Sequence, residues 1–341
     1  MKIFRKYEIG LLKYLTIKRI INITKVLFSY FLSNLTSKVI VWGKPYSATI
    51  EPTNFCNLKC PECPSGLGRL TRPLGIINLI DFENYCKEIS ETVFYLQLFF
   101  QGEPLVNKNL PELVGIAHKY NMYVAISTNG ILVTETVAQM LIASKIDKVI
   151  FSIDGLDENT YQNYRVGGTF EKAFKGLKNL LNEKIAQNCK YPYIEFQFIV
   201  MKQNEHQIPQ ILELSKLDGL NKVTLKTMQV YSKQSAEYFL PSNPKYRRYI
   251  IDSSGELKIK GKFKNKCYAI WRTAVITWDG NIVSCCFDKD ANFIMGNLKE
   301  NNFPSIWKNQ KFTNFRKAIM TNRSKIPMCK NCTEGVKINI D

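Results

Sequence analysis

The sequence predicts an α/β fold on a mostly parallel sheet, curled into a barrel or part-barrel. Two observations carry that expectation. Strand and helix patterns alternate about six times between residues 46 and 230, the signature of βαβ units. Right-handed crossovers would then curl the sheet. The unusual residues also fall where strands end: Cys56, Gly102-Glu103, Thr128-Asn129-Gly130 and Ser152 to Asp154. In parallel βα folds the active site gathers at the carboxyl ends of the strands.

Residues 1–43 come first, basic and helical in pattern. Ile20, Ile21, Ile23, Val26, Leu27, Tyr30 and Phe31 recur at helical spacing, with Lys13, Lys18, Arg19 and Lys25 between them. Such a segment packs on the following domain, docks a partner or lies on a membrane. The core, 44–230, opens with the strand SATIEPTNF. After the cysteines come the helix NLIDFENYCKEI and the strand VFYLQLFFQGEP, which ends in a Gly-Glu-Pro turn. LPELVGIAHKY is a helix with Pro111 near its start, where proline is tolerated. MYVAISTNG is a strand closed by Asn-Gly, ETVAQMLIAS a helix and KVIFSIDG a strand closed by Asp-Gly. The helix TFEKAFKGLKNLLNEKI, the strand YIEFQFIVMK, the helix IPQILELSKL and the strand KVTLKTMQV complete the series. Residues 231–262 are polar, hold Pro241 and Pro244, and read as a linker. From 263 to 341 a small domain is expected. Its AVITWDGNIVSCCFD is a hairpin turning at Asp279-Gly280, followed by a helix and CKNC.

The chain of 341 residues is long enough for two domains and a sizeable core. Lys and Arg number 47 against 29 Asp and Glu, a net charge of +18. That charge would attract nucleic acid, an anionic membrane or an acidic peptide. It also follows from lysine being abundant throughout. No aromatic-basic RNA motif is present, so nucleic acid is not an expected partner. There is no secretory signal with a cleavage site, and the run VLFSYFL (26–32) is too short to span a bilayer. A cytoplasmic protein is expected. In a reducing compartment ten cysteines are not expected to form disulfides, and clustered cysteines point to metal.

Cys56, Cys60 and Cys63 form a compact CxxxCxxC loop directly after a strand. A closed zinc site needs four ligands, and three thiolates fit that poorly. On a cubane iron–sulfur cluster, three cysteines leave one iron open, which is what catalysis on a metal requires. The loop, the Gly-Glu-Pro turn, TNG and SIDG follow in an order that resembles the radical S-adenosylmethionine (SAM) enzymes over about residues 46–230. The resemblance implies a partial (β/α)6 TIM-like barrel. It implies a [4Fe–4S] cluster on Cys56, Cys60 and Cys63, and SAM bound to the open iron. It further implies reductive cleavage of SAM to a 5′-deoxyadenosyl radical that abstracts a substrate hydrogen. Gly102, Glu103 and Pro104 resemble the turn that holds the methionyl amino group. Ser152, Asp154 and Arg165 resemble polar contacts to the carboxylate and ribose. Two positions depart from the pattern: Gln101 replaces the first glycine of the turn, and Glu62 stands where an aromatic often packs near the adenine.

The second cysteine set is Cys267, Cys285, Cys286, Cys329 and Cys332. It resembles the SPASM/twitch extension of the same enzymes, a small α+β auxiliary-cluster domain. The resemblance implies one auxiliary [4Fe–4S] cluster on Cys267, Cys285, Cys329 and Cys332, with Cys286 spare or replacing Cys285. A structural zinc on the same four thiolates is the alternative. An auxiliary cluster can ligate substrate or take an electron from the substrate radical, which would make the net reaction an oxidation.

The function expected from the resemblance is oxidative modification of a peptide or protein side chain. The alternative is a radical SAM dehydrogenase or rearrangement enzyme on a sugar or aminocyclitol. A reading from another class is a non-catalytic zinc-binding module. Expected partners are SAM, the substrate and a reduced flavodoxin or ferredoxin-type electron donor. His118 and His206 have no triad-like or metal-spaced setting. Cys86 and Cys189 read as buried or incidental thiols. Trp271, Trp278 and Trp307 read as core of the small domain.

Overall fold

The computed structural model describes residues 9–253 and 255–336. Residues 1–8 of the N-terminal segment, Ser254 of the expected linker and residues 337–341 of the C-terminal segment lie outside them.

Thr16 caps helix α1 (Ile17–Thr36) by accepting the Arg19 amide at 3.3 Å. The alternating series follows: β1 (Ser47–Ile50), α2 (Leu79–Ile89), β2 (Tyr95–Gln97), α3 (Leu110–Lys119), β3 (Tyr123–Thr128), α4 (Glu135–Ala143), β4 (Lys148–Ser152), α5 (Phe170–Ala186), β5 (Tyr193–Val200), α6 (Ile208–Glu213) and β6 (Lys222–Thr227). The rest of the chain gives α7 (Lys233–Phe239), β7 (Tyr249–Ile251), β8 (Leu257–Ile259), β9 (Thr273–Ile276), β10 (Asn281–Val283), β11 (Ile294–Asn297) and α8 (Gln310–Asn322). The α/β class is the expected one, with β1 to β6 in the predicted order.

Two compact units are present. Over the described residues, the first takes 9–54, 70–125 and 264–335, and the second takes 55–69, 126–253, 255–263 and 336. In the first, β1 lies parallel to β2 on one side and β9 on the other, with Ser47 opposite Tyr95 and Thr273. β2 continues to β3, and β9, β10 and β11 are antiparallel. The C-terminal strands therefore extend the sheet begun by β1. Trp271 and Trp307 are buried as expected, and both indoles donate to the segment after α1, at Ile40 and Gly43. The buried Arg316 guanidinium lies 4.4 Å from the Trp307 ring and 4.6 Å from the Phe312 ring, where aromatic faces replace water around its charge. Trp278 differs from expectation. It is half-exposed, because it sits at the hairpin turn and donates Nε1 to the Pro73 carbonyl.

In the second unit β4, β5 and β6 are parallel. Residues 231–262, expected as an irregular linker, instead form α7 and the β7–β8 hairpin. The reason is apolar burial. Ala236, Phe239, Leu240 and Tyr249 join Met201, Met228 and Val230 in one cluster that also holds Leu58 and Cys60.

Candidate active site

The second unit brings together the three-cysteine loop, Asp154 and Arg165. Cys60 is buried, and Cys56 and Cys63 pack against the same apolar cluster. The loop is tight: the Cys63 amide donates to the Cys60 carbonyl at 3.1 Å, and the Lys59 amide to Val166 at 2.7 Å. The Leu58 amide points at Cys56 Sγ at 3.5 Å. Burial pushes the Cys60 thiol above its usual range. Arg165 opposes it, with Nη1 at 3.9 Å from Cys60 Sγ. Asp154, fully buried, takes Arg165 Nε and Nη2 at 2.6 Å each on one oxygen and the Ile199 amide at 2.7 Å on the other. Burial opposes the Arg165 charge, but Asp154 and the Cys60 sulfur overcome it, so the guanidinium stays charged. Asp154 is thus spent on orienting Arg165.

Ser152 Oγ lies 3.3 Å from Ser127 Oγ. The TNG turn reaches the cysteine loop, because Asn129 Nδ2 donates to Asn57 Oδ1 at 2.8 Å while Asn129 Oδ1 accepts the Ile131 amide. Gly130 is required there. Its φ is 84°, and a Cβ would meet the Ala173 carbonyl oxygen at 2.8 Å. Glu62 has a structural role that its family departure did not reveal. It accepts Ser235 Oγ at 2.6 Å and the Tyr231 amide at 3.1 Å, tying the entrance of α7 to the cysteine loop.

The Gly102-Glu103-Pro104 turn belongs to the first unit. Gly102 takes φ 75°, and the buried Glu103 side chain accepts the Leu105 amide at 3.2 Å to start a short 3-10 turn. Behind it stands a pair that sequence reasoning missed. Glu51, fully buried, is gripped by Arg72 Nη1 and Nη2 at 2.7 and 2.6 Å. Glu51 also accepts the amides of Gln101 and Trp278, each at 3.3 Å. Arg72 donates Nε to the Lys289 carbonyl, and Asp290 accepts the amides of Thr71 and Arg72. The carboxylate right after β1, in SATIEP, was the available signal.

The auxiliary set is also in the first unit. Cys267, Cys329 and Cys332 are buried, and Cys285 is half-buried. Burial lifts Cys267 to about 12 and Cys329 to about 11, and takes Cys285 well above its usual range, while Cys286 is exposed. The Phe287 amide points at Cys285 Sγ and the Glu334 amide at Cys332 Sγ, both at 3.4 Å. Arg323 braces the loop by donating to the carbonyls of Lys266, Cys332 and Glu334. Among the described residues, no three Cys, His, Asp or Glu side chains converge as a ready-made metal cage. The donor sets nonetheless fit iron–sulfur clusters. Each is rich in soft thiols and is partly braced by backbone N–H groups.

Cys285 and Cys286 line a cavity of about 360 Å³. Its floor is one face of the sheet: Ser47 and Thr49 on β1, Tyr95 and Gln97 on β2, Thr273 and Val275 on β9. Arg272 and Glu334, 3.8 Å apart, complete a polar wall.

The family profile described as the Radical SAM superfamily matches residues 50–215, and that of the SPASM iron-sulfur cluster-binding domain matches 267–333. The chain is 26% identical over 291 residues to the mycofactocin maturase MftC of Mycobacterium tuberculosis, covering 78% of this chain and 71% of the relative. It is 25% identical over 288 residues to the S-adenosyl-L-methionine-dependent 2-deoxy-scyllo-inosamine dehydrogenase of Niallia circulans, covering 83% and 90%. The structure of Streptococcus suis SuiB bound to S-adenosylmethionine superposes with a TM-score of 0.64 at 16% identity, covering 86% and 73%. That last likeness shows the fold alone.

Proposed function

The chain is a radical SAM enzyme with a C-terminal SPASM iron–sulfur domain, and on that premise we propose that it oxidises a peptide or protein side chain. Bound to Cys56, Cys60 and Cys63 and to the auxiliary set Cys267, Cys285, Cys329 and Cys332, two [4Fe–4S] clusters would supply the electron that cleaves SAM and accept the one left on the substrate. Arg165, held by Asp154, offers a rigid charged fork to the SAM carboxylate. Gly102, Glu103 and Pro104 offer oxygen acceptors to its amino group, and Ser152 a hydroxyl to the ribose. A reduced flavodoxin or ferredoxin-type protein would serve as donor.

The observation that carries the reading is the cavity beside Cys285 and Cys286. It has room for one side chain, and a group seated there lies against the auxiliary cysteines. A second reading, a small hydroxylated metabolite, is favoured by the same hydroxyl-rich lining and by the 90% coverage of the inosamine dehydrogenase.

The test is anaerobic reconstitution with iron and sulfide, then SAM and a strong reductant. About eight irons per chain are expected, with 5′-deoxyadenosine that vanishes in a Cys56/Cys60/Cys63→Ala variant. Tightly bound zinc without SAM cleavage would sink the reading. Deuterium transfer to 5′-deoxyadenosine from labelled peptides, against labelled aminocyclitols, separates the two substrate classes.

A further inference from the structure

Helix α1 is amphipathic in the inverted sense. The stripe it turns to the protein is Arg19, Asn22, Val26, Ser29 and Ser33, mostly polar. Hydrogen bonds hold that stripe. Arg19 donates to the carbonyls of Tyr14, Ser90, Tyr120 and Asn121. Asn22 exchanges two bonds with Lys44, at 2.8 and 2.9 Å. Ser29 Oγ accepts the Trp42 amide and Ser33 Oγ the Ile40 amide, each at 2.9 Å.

The opposite stripe is Ile17, Ile20, Ile21, Leu27, Phe28, Phe31 and Leu35, between 48 and 78% exposed. At 100° per residue these side chains fall on one continuous face. Lys18 and Lys25, also exposed, fall along one edge. An open apolar hollow runs beside the helix, lined by Leu27, Phe28, Tyr30 and Phe31, with the exposed Lys266 on its rim.

Seven large apolar side chains in one row on the surface are far from the scattered exposure normal for a folded chain. Their setting indicates what covers them. Among the described residues no helix is long and apolar enough to cross a membrane, so the stripe does not span one. Lying flat, a helix of this length presents about 30 Å of apolar edge. Lysines edge it, in a chain whose net charge is +18. A second copy would set its own lysines against these, while an anionic surface complements them.

We propose that α1 is an interfacial helix that docks this enzyme on anionic phospholipid bilayers, with Ile17, Ile21, Phe28, Phe31 and Leu35 entering the acyl boundary and Lys18 and Lys25 meeting the headgroups. The reconstituted full chain binds vesicles of phosphatidylcholine and phosphatidylglycerol and not phosphatidylcholine alone, and salt weakens the binding. A Phe28→Asp/Phe31→Asp variant loses vesicle binding at least about ten-fold while its SAM cleavage is unchanged. A Lys18→Glu/Lys25→Glu variant loses affinity for the anionic vesicles by about five-fold or more per lysine. Flotation reads the binding, and 5′-deoxyadenosine reports that each variant is folded. Absence of binding to anionic vesicles at low salt overturns the proposal, as does binding that Phe28→Asp/Phe31→Asp leaves intact. A dimer in light scattering that the same variant dissolves also overturns it, by assigning the stripe to a second copy.

Discussion

Arg72 closes on Glu51 with both terminal nitrogens, at 2.7 and 2.6 Å, and neither partner meets much water. Glu51 follows β1, and its oxygens also receive amides from Gln101 and Trp278. One carboxylate thus fixes the end of β1, the start of the Gly-Glu-Pro turn and the β9–β10 hairpin. Arg72→Met leaves that charge buried and unpaired, a loss of about 3–5 kcal/mol. Urea unfolding should show it, and Glu51→Gln combined with Arg72→Met should recover part. A single-variant loss within experimental error would show that the pair is dispensable.

Asp154 is a positioning residue for Arg165. Asp154→Asn keeps the shape and removes the charge that aims the guanidinium, so SAM affinity should fall about ten-fold or more. Arg165→Lys, which lacks the fork, should do the same. Equilibrium binding of SAM to the reconstituted protein measures both. Unchanged affinity in both variants would remove Arg165 from the SAM site.

Cys285, rather than Cys286, is the expected auxiliary ligand. Its sulfur faces a backbone amide two residues on, as do those of Cys56 and Cys332. Cys285→Ser should cost about four irons per chain while Cys286→Ser keeps them. The reverse pattern would reassign the ligand.

Gly176 and Gly115 make a sign test within helices. A Cβ on Gly176 would come 2.1 Å from the Gly130 carbonyl oxygen, whereas one on Gly115 meets nothing within 4 Å. Gly176→Ala should destabilise by about 1–3 kcal/mol through overpacking. Gly115→Ala should stabilise by about 0.5–1 kcal/mol through helix propensity. Denaturant midpoints of the two variants should therefore move in opposite directions.

Lys184 is buried, with Nζ donating to the Gly219 carbonyl at 3.0 Å and to Asn221 Oδ1 at 2.9 Å, and burial lowers its pKa to about 8. The unfolded chain holds that proton up to about 10.4. Between the two values the unfolded state binds more protons, so stability rises with pH across that window and is flat, as regards this group, below it. Urea midpoints from pH 7 to 9.5 should show the rise, and Lys184→Met should flatten it. An unchanged slope in Lys184→Met would assign the rise to other groups.

The strand series and the compact CxxxCxxC loop were legible in the sequence, because periodicity and spacing are local. The Arg72–Glu51 clamp was not. Its partners are 21 residues apart, and each looks like an ordinary surface charge until the chain folds. The structural role of Glu62 was hidden for the same reason: the bonds that explain it come from Tyr231 and Ser235. The 231–262 segment hid its buried face behind two prolines and a polar composition. In α1 the apolar period was visible, but periodicity does not say which face turns outward. Hydrogen bonds to Arg19, Asn22, Ser29 and Ser33 decide that.

Leu58, Phe287 and Glu334 each aim a main-chain N–H at the sulfur two residues back. The contact uses nothing from their side chains. Each contact needs only a main-chain N–H, although the Leu58 side chain is also buried in the apolar cluster and that of Glu334 faces Arg272. The contact itself bars proline alone, because proline has no N–H to offer. The mark these turns leave on a lineage is therefore a missing residue, where one would ordinarily look for a retained one.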